Sequence, residues 1–286
     1  MSEQSSDSST SQVYANVVAD REKPVATIAT AETSSSLDKA IDILLELQRA
    51  GGPLGVTAAA RAAGQPKSSA HRLLQGLARR GLVEQDAQGR YRPGFVLVAL
   101  GLGALETDPV VAAARPVLEE EAAALGETVF LTAVRGGRIA VLAKREGTGF
   151  LRAAPQVGST VPTHATAVGK LQLAFAPHEL GPASEPGHER FTEQTATSES
   201  ELAIAAAEAR RMGWATNREE WIPGLAVVAA PVFRGGQLTA ALAVAASSAR
   251  LDELGVERVA RRAVAAAERI GARLAGECAP SAGGDR

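Results

Sequence analysis

Thr57-Ala58-Ala59-Ala60-Arg61-Ala62-Ala63-Gly64-Gln65-Pro66-Lys67-Ser68-Ser69-Ala70-His71-Arg72-Leu73-Leu74 decides the fold of the first third of this chain. An alanine-rich run closed by Gly64 reads as a short helix. Pro66 sits where a first helical residue is favoured, because a proline lacks the N–H that would have no partner there. The helix it opens runs to Arg80, with Ala70, Leu73, Leu74 and Leu77 facing inward and Gly81 ending it.

Working upstream, Leu37, Ile41, Leu44, Leu45 and Gln48 follow helical spacing after Ser36, which is placed to cap the helix, and Gly51-Gly52-Pro53 stops it. Downstream, Leu82–Glu84 and Arg90–Arg92 read as short strands around a polar turn, and Pro93-Gly94 ends the unit. Three helices and a hairpin over residues 34–94 make a winged helix-turn-helix.

Val56 to Arg92 carries Arg61, Lys67, Arg72, Arg79, Arg80, Arg90 and Arg92 against only Glu84 and Asp86, inside a chain whose formal net charge is −2. Neutralising phosphates requires such a local excess of cations. The helix starting near Lys67 offers small hydroxyls, an imidazole and an arginine in its first turns. Such groups suit phosphate contacts, while Gln65 and Arg72 suit base edges. Candidate DNA-contacting residues are therefore Thr57, Gln65, Lys67, Ser68, Ser69, His71 and Arg72, with Arg90 and Arg92 one pleat apart on the wing.

Phe95–Leu105 is apolar and dotted with glycine, and residues 95–107 read as a linker helix. Asp108-Pro109 opens a second domain, residues 108–277. It combines helices over 110–125, 165–175, 198–212 and from 251 to about 278 with strands over 127–133, 138–144, 227–233 and 238–245. The strands pair across Arg135-Gly136-Gly137 and Arg234-Gly235-Gly236, two hairpin signals that read as convergent turn chemistry. The fold class is α+β. Residues 1–33, rich in Ser, Thr and acidic side chains, read as a disordered tail, and 278–286 as a flexible C-terminus.

Composition narrows the remaining classes. The chain has 286 residues, 45% hydrophobic and 22% charged, which suits about two globular domains. Aromatics are only 3%, so Ala, Val and Leu must build the cores. One cysteine, Cys278, leaves no internal disulfide and suits a reducing, cytoplasmic setting. No apolar run is long enough to span a membrane, and the first residues carry no secretion signal. The chain has no G-x-S-x-G, P-loop or H-E-x-x-H, and its four histidines show no i, i+4 pairing. No catalytic residue, cofactor or metal site is expected.

The stretch from Leu54 to Leu74 resembles the DNA-binding helices of IclR-type transcriptional regulators, close to L-x-(L/V)-T-x-(L/A)-A-R-x-x-G-L-P-K-S-T-x-H-R-L-L. The match continues in Gly81-Leu82-Val83-Glu84 and Gly89-Arg90-Tyr91-Arg92-Pro93-Gly94. It extends into the second domain at His164-Ala165-Thr166-Ala167-Val168-Gly169-Lys170 and at Gly224 to Phe233. Several motifs in the right order, over roughly residues 36–277, make the resemblance specific. It implies a C-terminal effector domain of GAF-like fold, assembly as a homodimer or homotetramer on double-stranded operator DNA, and effectors that are commonly small organic acids or aromatic compounds.

The departures from the family are informative. Relatives that bind small carboxylic acids carry an acidic residue, a cysteine and a Ser-x-Ser pair, where this chain has Asn217, Val227, and Ala243 with Ala245. A carboxylate needs donors aimed at its oxygens. The expected effector is therefore more apolar than a short keto acid, unless Thr163, Thr166 or Arg152 replaces the lost donors. Candidate effector residues are Phe150, Thr163, Asn217, Trp221, Val227, Ala243 and Ala245. In the motif around His164, Thr163 or His164 is expected to satisfy a helix start.

The leading reading is a ligand-responsive, DNA-binding transcriptional regulator, repressor or activator. Two others remain: a small-molecule-binding protein or enzyme with an accessory basic module, and an interaction protein whose winged helix binds protein or RNA. The helix beginning near Lys67 separates them, because its side chains fit phosphate and base contact and none fits catalysis.

Overall fold

The computed structural model describes residues 35–149, 155–181 and 189–276. The expected tails at 1–33 and 278–286, together with Phe150 and Arg152, lie outside the described residues. The chain divides between Thr107 and Asp108 into two compact units.

The first unit opens with α1 (Ser36–Arg49), α2 (Val56–Ala62) and α3 (Lys67–Ala78). The cap of α1 is Ser35, one residue earlier than expected. Its Oγ accepts from Asp38 N–H at 3.2 Å while Asp38 accepts from Ser35 N–H at 2.8 Å, a reciprocal box. The buried face of α1 also differs from the expected stripe. Ile43 and Leu47 are buried, whereas Leu37 is 69% exposed and Ile41 42%. The partner decides the face: the side chains of α1 that join the core with α3 are Ala40, Ile43, Leu44 and Leu47, themselves a 3–4 repeat. Ala59, Ala60 and Ala70 are buried between α2 and α3, so small side chains let these two helices approach closely. Pro66 occupies the position before the first turn of α3 rather than within it, and α3 ends two residues short of Arg80.

β1 (Val83–Gln85) and β2 (Tyr91–Pro93) form the wing, with Glu84 opposite Arg92. Tyr91 fills the base of the core and exchanges backbone hydrogen bonds with Leu54 at 2.7 and 2.8 Å. α4 (Phe95–Glu106) follows without a loop and belongs to this unit.

The second unit begins with α5 (Pro109–Leu125), whose Asp108 cap accepts from Val110 and Val111 N–H. Its sheet is antiparallel, built from β3 (Thr128–Arg135), β4 (Arg138–Arg145), β5 (Ala215–Arg218), β6 (Leu225–Arg234) and β7 (Gln237–Ser247) in the order β4-β3-β7-β6-β5. Both Arg-Gly-Gly sites are two-residue turns with positive φ at each glycine, which matches the twist of the strands they join. One face of the sheet carries α5 and α9 (Val256–Gly276); the other carries α6 (Ala167–Phe175), on which α7 (Glu199–Met212) packs. Burial on both faces explains why β6 and β7 read as nearly unbroken apolar runs.

Two elements depart from expectation. β5 has four residues with Thr, Asn and Arg among them, so its only apolar signal is Ala215. The expected last helix is two, α8 (Ser248–Leu254) and α9, because Gly255 at φ 80° breaks the run.

Candidate nucleic-acid interface and effector face

α3 presents Lys67, Ser68, His71 and Arg72 to solvent, while Ala70, Leu74 and Leu77 anchor its other face in the core. No side chain caps its N-terminus, so the amides of the first turn remain available to an anion. Thr57, Lys67, Ser68 and His71, with Val56 below them, line an open groove of about 670 Å³. Arg72 is exposed elsewhere on α3, and Ser69 and Gln65 lie beside the groove without lining it. The structure thus brings together four of the expected DNA-contacting residues around one groove.

The wing is arranged differently from the expectation. Arg90 lies in the turn, outside β2, and its Nε donates to Asp86 Oδ2 at 2.8 Å. Asp86 also accepts from the backbone N–H of Arg90 and Gln88, a turn closed by its own carboxylate. Arg92 donates to Glu84 Oε2 from Nη2 at 3.0 Å and from Nε at 3.3 Å. Both wing arginines are therefore ion-paired, whereas Lys67 and Arg72 make no ion pair with a described residue. The Arg90 N–H bond holds the Asp86 carboxyl below its usual range, and a bond from Phe95 N–H does the same for Glu84. Strands over 82–84 and 90–92 would set Glu84 opposite Arg90; the observed register sets it opposite Arg92 instead.

In the second unit, Asn217 on β5 faces Val227 on β6, which faces Ala245 on β7, which faces Thr128 on β3. The next row on the same face runs Ala215, Ala229, Ala243, Phe130. Four expected effector residues are thus neighbours under α6, and Trp221 joins the same core cluster. Asn217 is 2% exposed. Its Nδ2 donates to Ala165 O at 2.9 Å, and its Oδ1 has no hydrogen-bond partner among the described residues. Thr163 is half-buried, its backbone pressed against Gly169, where a Cβ would come within 1.8 Å of Thr163 O.

Neither Thr163 nor His164 caps α6. Thr166 does, accepting from Gly169 N–H at 3.1 Å and donating to Pro162 O at 2.7 Å. His164 Nε2 instead donates to Glu189 O at 2.8 Å, and its ring stacks on Phe191 at 5.4 Å. Sequence reasoning missed three further groups. Lys170 Nζ reaches Glu220 Oε1 at 2.6 Å and Thr216 O at 2.9 Å. Thr192 and Thr195 donate to the carbonyls of Glu219 and Glu220. Together they pin the turn that joins Asn217 to Trp221, in which Glu219 has φ 59°.

Residues 36–87 match the IclR helix-turn-helix domain, and residues 102–272 match the family described as bacterial transcriptional regulator IclR, C-terminal. The chain belongs to the IclR family. It is a DNA-binding transcriptional regulator with an N-terminal helix-turn-helix and a C-terminal effector domain. The HTH-type transcriptional regulator BhcR of Paracoccus denitrificans is 30% identical over 239 residues, covering 82% of this chain and 85% of the relative. The crystal structure of an IclR regulator from Alicyclobacillus acidocaldarius aligns with TM-score 0.73 at 26% identity, over 85% of this chain and all of that one. An IclR homologue from Microbacterium hydrocarbonoxydans, solved with 4-hydroxybenzoate, shares the fold at TM-score 0.72 and 22% identity, covering 85% of this chain and all of that one. Among the described residues no single helix is long and apolar enough to cross a membrane, and no group of three metal-ligating side chains forms.

Proposed function

We propose that this IclR-family regulator docks on double-stranded operator DNA through α3 and the wing, and that an effector on the α6 face of the sheet sets its affinity. The observation that carries the DNA reading is the exposed first turns of α3. Lys67, Ser68, His71 and Arg72 make no ion pair with any described residue, and three of them share a groove with Thr57. Ser69 and Gln65 flank them, and Arg90 and Arg92 extend the surface along the wing.

The effector we propose is more apolar than a short keto acid. Val227, Ala243 and Ala245 contribute methyl groups and no donors to the rows beside Asn217. Asn217 Oδ1 is a buried acceptor, which favours a hydrogen-bond donor on the ligand over a carboxylate. A compound combining a ring with a hydroxyl suits that chemistry; the Microbacterium homologue, which shares this fold, was solved with 4-hydroxybenzoate, whose ring and hydroxyl match it and whose carboxylate would need a donor elsewhere. Trp221 and Thr163 border the same face.

We further propose a symmetric homodimer or homotetramer working in the cytoplasm, with a regulatory and not a catalytic role. α4 supports the assembly: none of its residues is buried, and Phe95, Val98, Leu100 and Leu102 are all more than half exposed. An apolar helix so placed is covered by a second copy in a symmetric pair.

Footprinting of the protein on its own upstream region, with and without candidate metabolites, tests the reading. A protected pseudo-palindrome with steep salt dependence is expected, and absence of protection overturns it. Calorimetry with glyoxylate, pyruvate and a panel of aromatic and longer-chain compounds tests the effector. Tight binding of glyoxylate or pyruvate, abolished in Asn217→Ala, would overturn the apolar reading.

A further inference from the structure

The cap residue of α4 and its first two residues are tied by their amides to the wing and to the segment that enters it. Gly94 N–H donates to Leu82 O at 2.9 Å, Val96 N–H to Gly81 O at 3.3 Å, and Phe95 N–H to Glu84 Oε1 at 3.1 Å. The approach is close enough to demand glycine: a Cβ on Gly94 would lie 2.2 Å from Gly81 O. Gly94 itself provides no side-chain cap, so the Glu84 carboxylate caps α4 from the neighbouring strand. Its other oxygen, Oε2, holds Arg92. One carboxylate therefore serves the wing and the helix that leads to the effector unit, one oxygen for each.

We propose that Glu84 is a positioning residue that holds Arg92 in reserve and ties its release to the first turn of α4. The proposal rests on the reading that the wing faces DNA. While Phe95 N–H keeps Oε1, the carboxylate cannot swing away from Arg92, and a phosphate must compete for the guanidinium against a fixed anion. Indiscriminate attraction to DNA then falls to the cations that make no ion pair with a described residue, Lys67 and Arg72 among them. Displacing the first turn of α4 frees Oε1, lets the carboxylate turn outward and makes Arg92 available. Asp86 restrains Arg90 in the same way but makes no hydrogen bond to α4, so Glu84 is the residue that couples the two elements.

The test measures full-length protein binding a labelled duplex of arbitrary sequence by fluorescence anisotropy across a salt series. Glu84→Gln is expected to bind several-fold tighter and to steepen the log–log salt slope by about 0.9, the value for one more neutralised phosphate. Arg92→Ala is expected to change the slope less in the wild-type background than in Glu84→Gln. Glu84→Ala, which also lacks the acceptor for Phe95, is expected to show the same steepening together with faster amide exchange in the first turn of α4. A slope in Glu84→Gln and Glu84→Ala equal to wild type, while Arg72→Ala flattens it, overturns the proposal and leaves the α3 interface standing. No effect of either Arg72→Ala or Arg92→Ala, alone or with Glu84→Gln, overturns the interface itself.

Discussion

Lys170 Nζ lies 2.6 Å from Glu220 Oε1, both side chains less than one-sixth exposed, and this pair ties α6 to the turn that follows β5. Asn217 and Trp221 flank the same turn. Breaking a sheltered pair leaves one charge without compensation, so Lys170→Met is expected to destabilise the protein by about 3 kcal/mol. Lys170→Met/Glu220→Met, which removes both charges, is expected to recover most of that stability. Urea denaturation of wild type and both variants checks this, and equal destabilisation of the single and double variants would contradict it.

Arg72→Ala and Lys67→Ala are expected to weaken DNA binding without lowering thermal stability, because both side chains are exposed and make no ion pair with a described residue. Removing one phosphate-neutralising side chain flattens the salt slope by about 0.9, and removing a base-reading one costs about 1–3 kcal/mol. Leu74→Ala, two residues on but fully buried, is expected to do the reverse: a drop of about 2–5 kcal/mol in stability. Anisotropy titrations and melting curves of the three variants separate the exposed face of α3 from its anchored one.

Gly94→Ala is expected to cost about 1–3 kcal/mol, because the new methyl meets the Gly81 carbonyl and must force the wing from α4. Gly101→Ala, in the middle of α4 with no atom of its own chain outside the helix within 4 Å of the new methyl, is expected to stabilise by about 0.5–1 kcal/mol through helix propensity. Shifts in melting temperature of opposite sign from these two Gly-to-Ala changes, one at the start of α4 and one inside it, are the expected result.

Glu84 and Asp86 are held below their usual carboxylate range by backbone N–H bonds and by the wing arginines. A folded-state pKa below the unfolded value contributes stability that is complete above the unfolded value, about 3.9–4.3, and is lost as pH falls through the folded one. Amide exchange in β1 and β2 is therefore expected to accelerate as pH drops below about 4 relative to the intrinsic rate. Glu84→Gln/Asp86→Asn is expected to remove that acid dependence; an unchanged pH profile would contradict it.

Leu100→Glu is expected to shift the protein toward monomer in sedimentation velocity without lowering the stability of the winged helix, since Leu100 is 62% exposed. An unchanged oligomer would remove α4 from the interface between copies.

Local chemistry makes much of this protein legible from its residues alone. The helices of the DNA-binding unit announce themselves through glycine stops and apolar spacing, and the two hairpins through Arg-Gly-Gly turns whose backbone only glycine adopts comfortably. These features depend on neighbours in sequence, or on a pattern that period alone expresses.

What the sequence could not determine depends on partners far along the chain. The face of α1 is decided by α3, so a stripe containing Leu37 and Ile41 gives way to one containing Ile43 and Leu47. β5 is a strand because β6 offers it hydrogen bonds, not because Ala215–Arg218 has strand character. The wing arginines are legible as positive charge, but only folding sets each against a carboxylate and so changes what they do. Propensity and periodicity belong to the chain itself; pairing and the burial of Asn217 belong to the tertiary structure, because each requires groups that sequence separates and packing brings within a few ångströms.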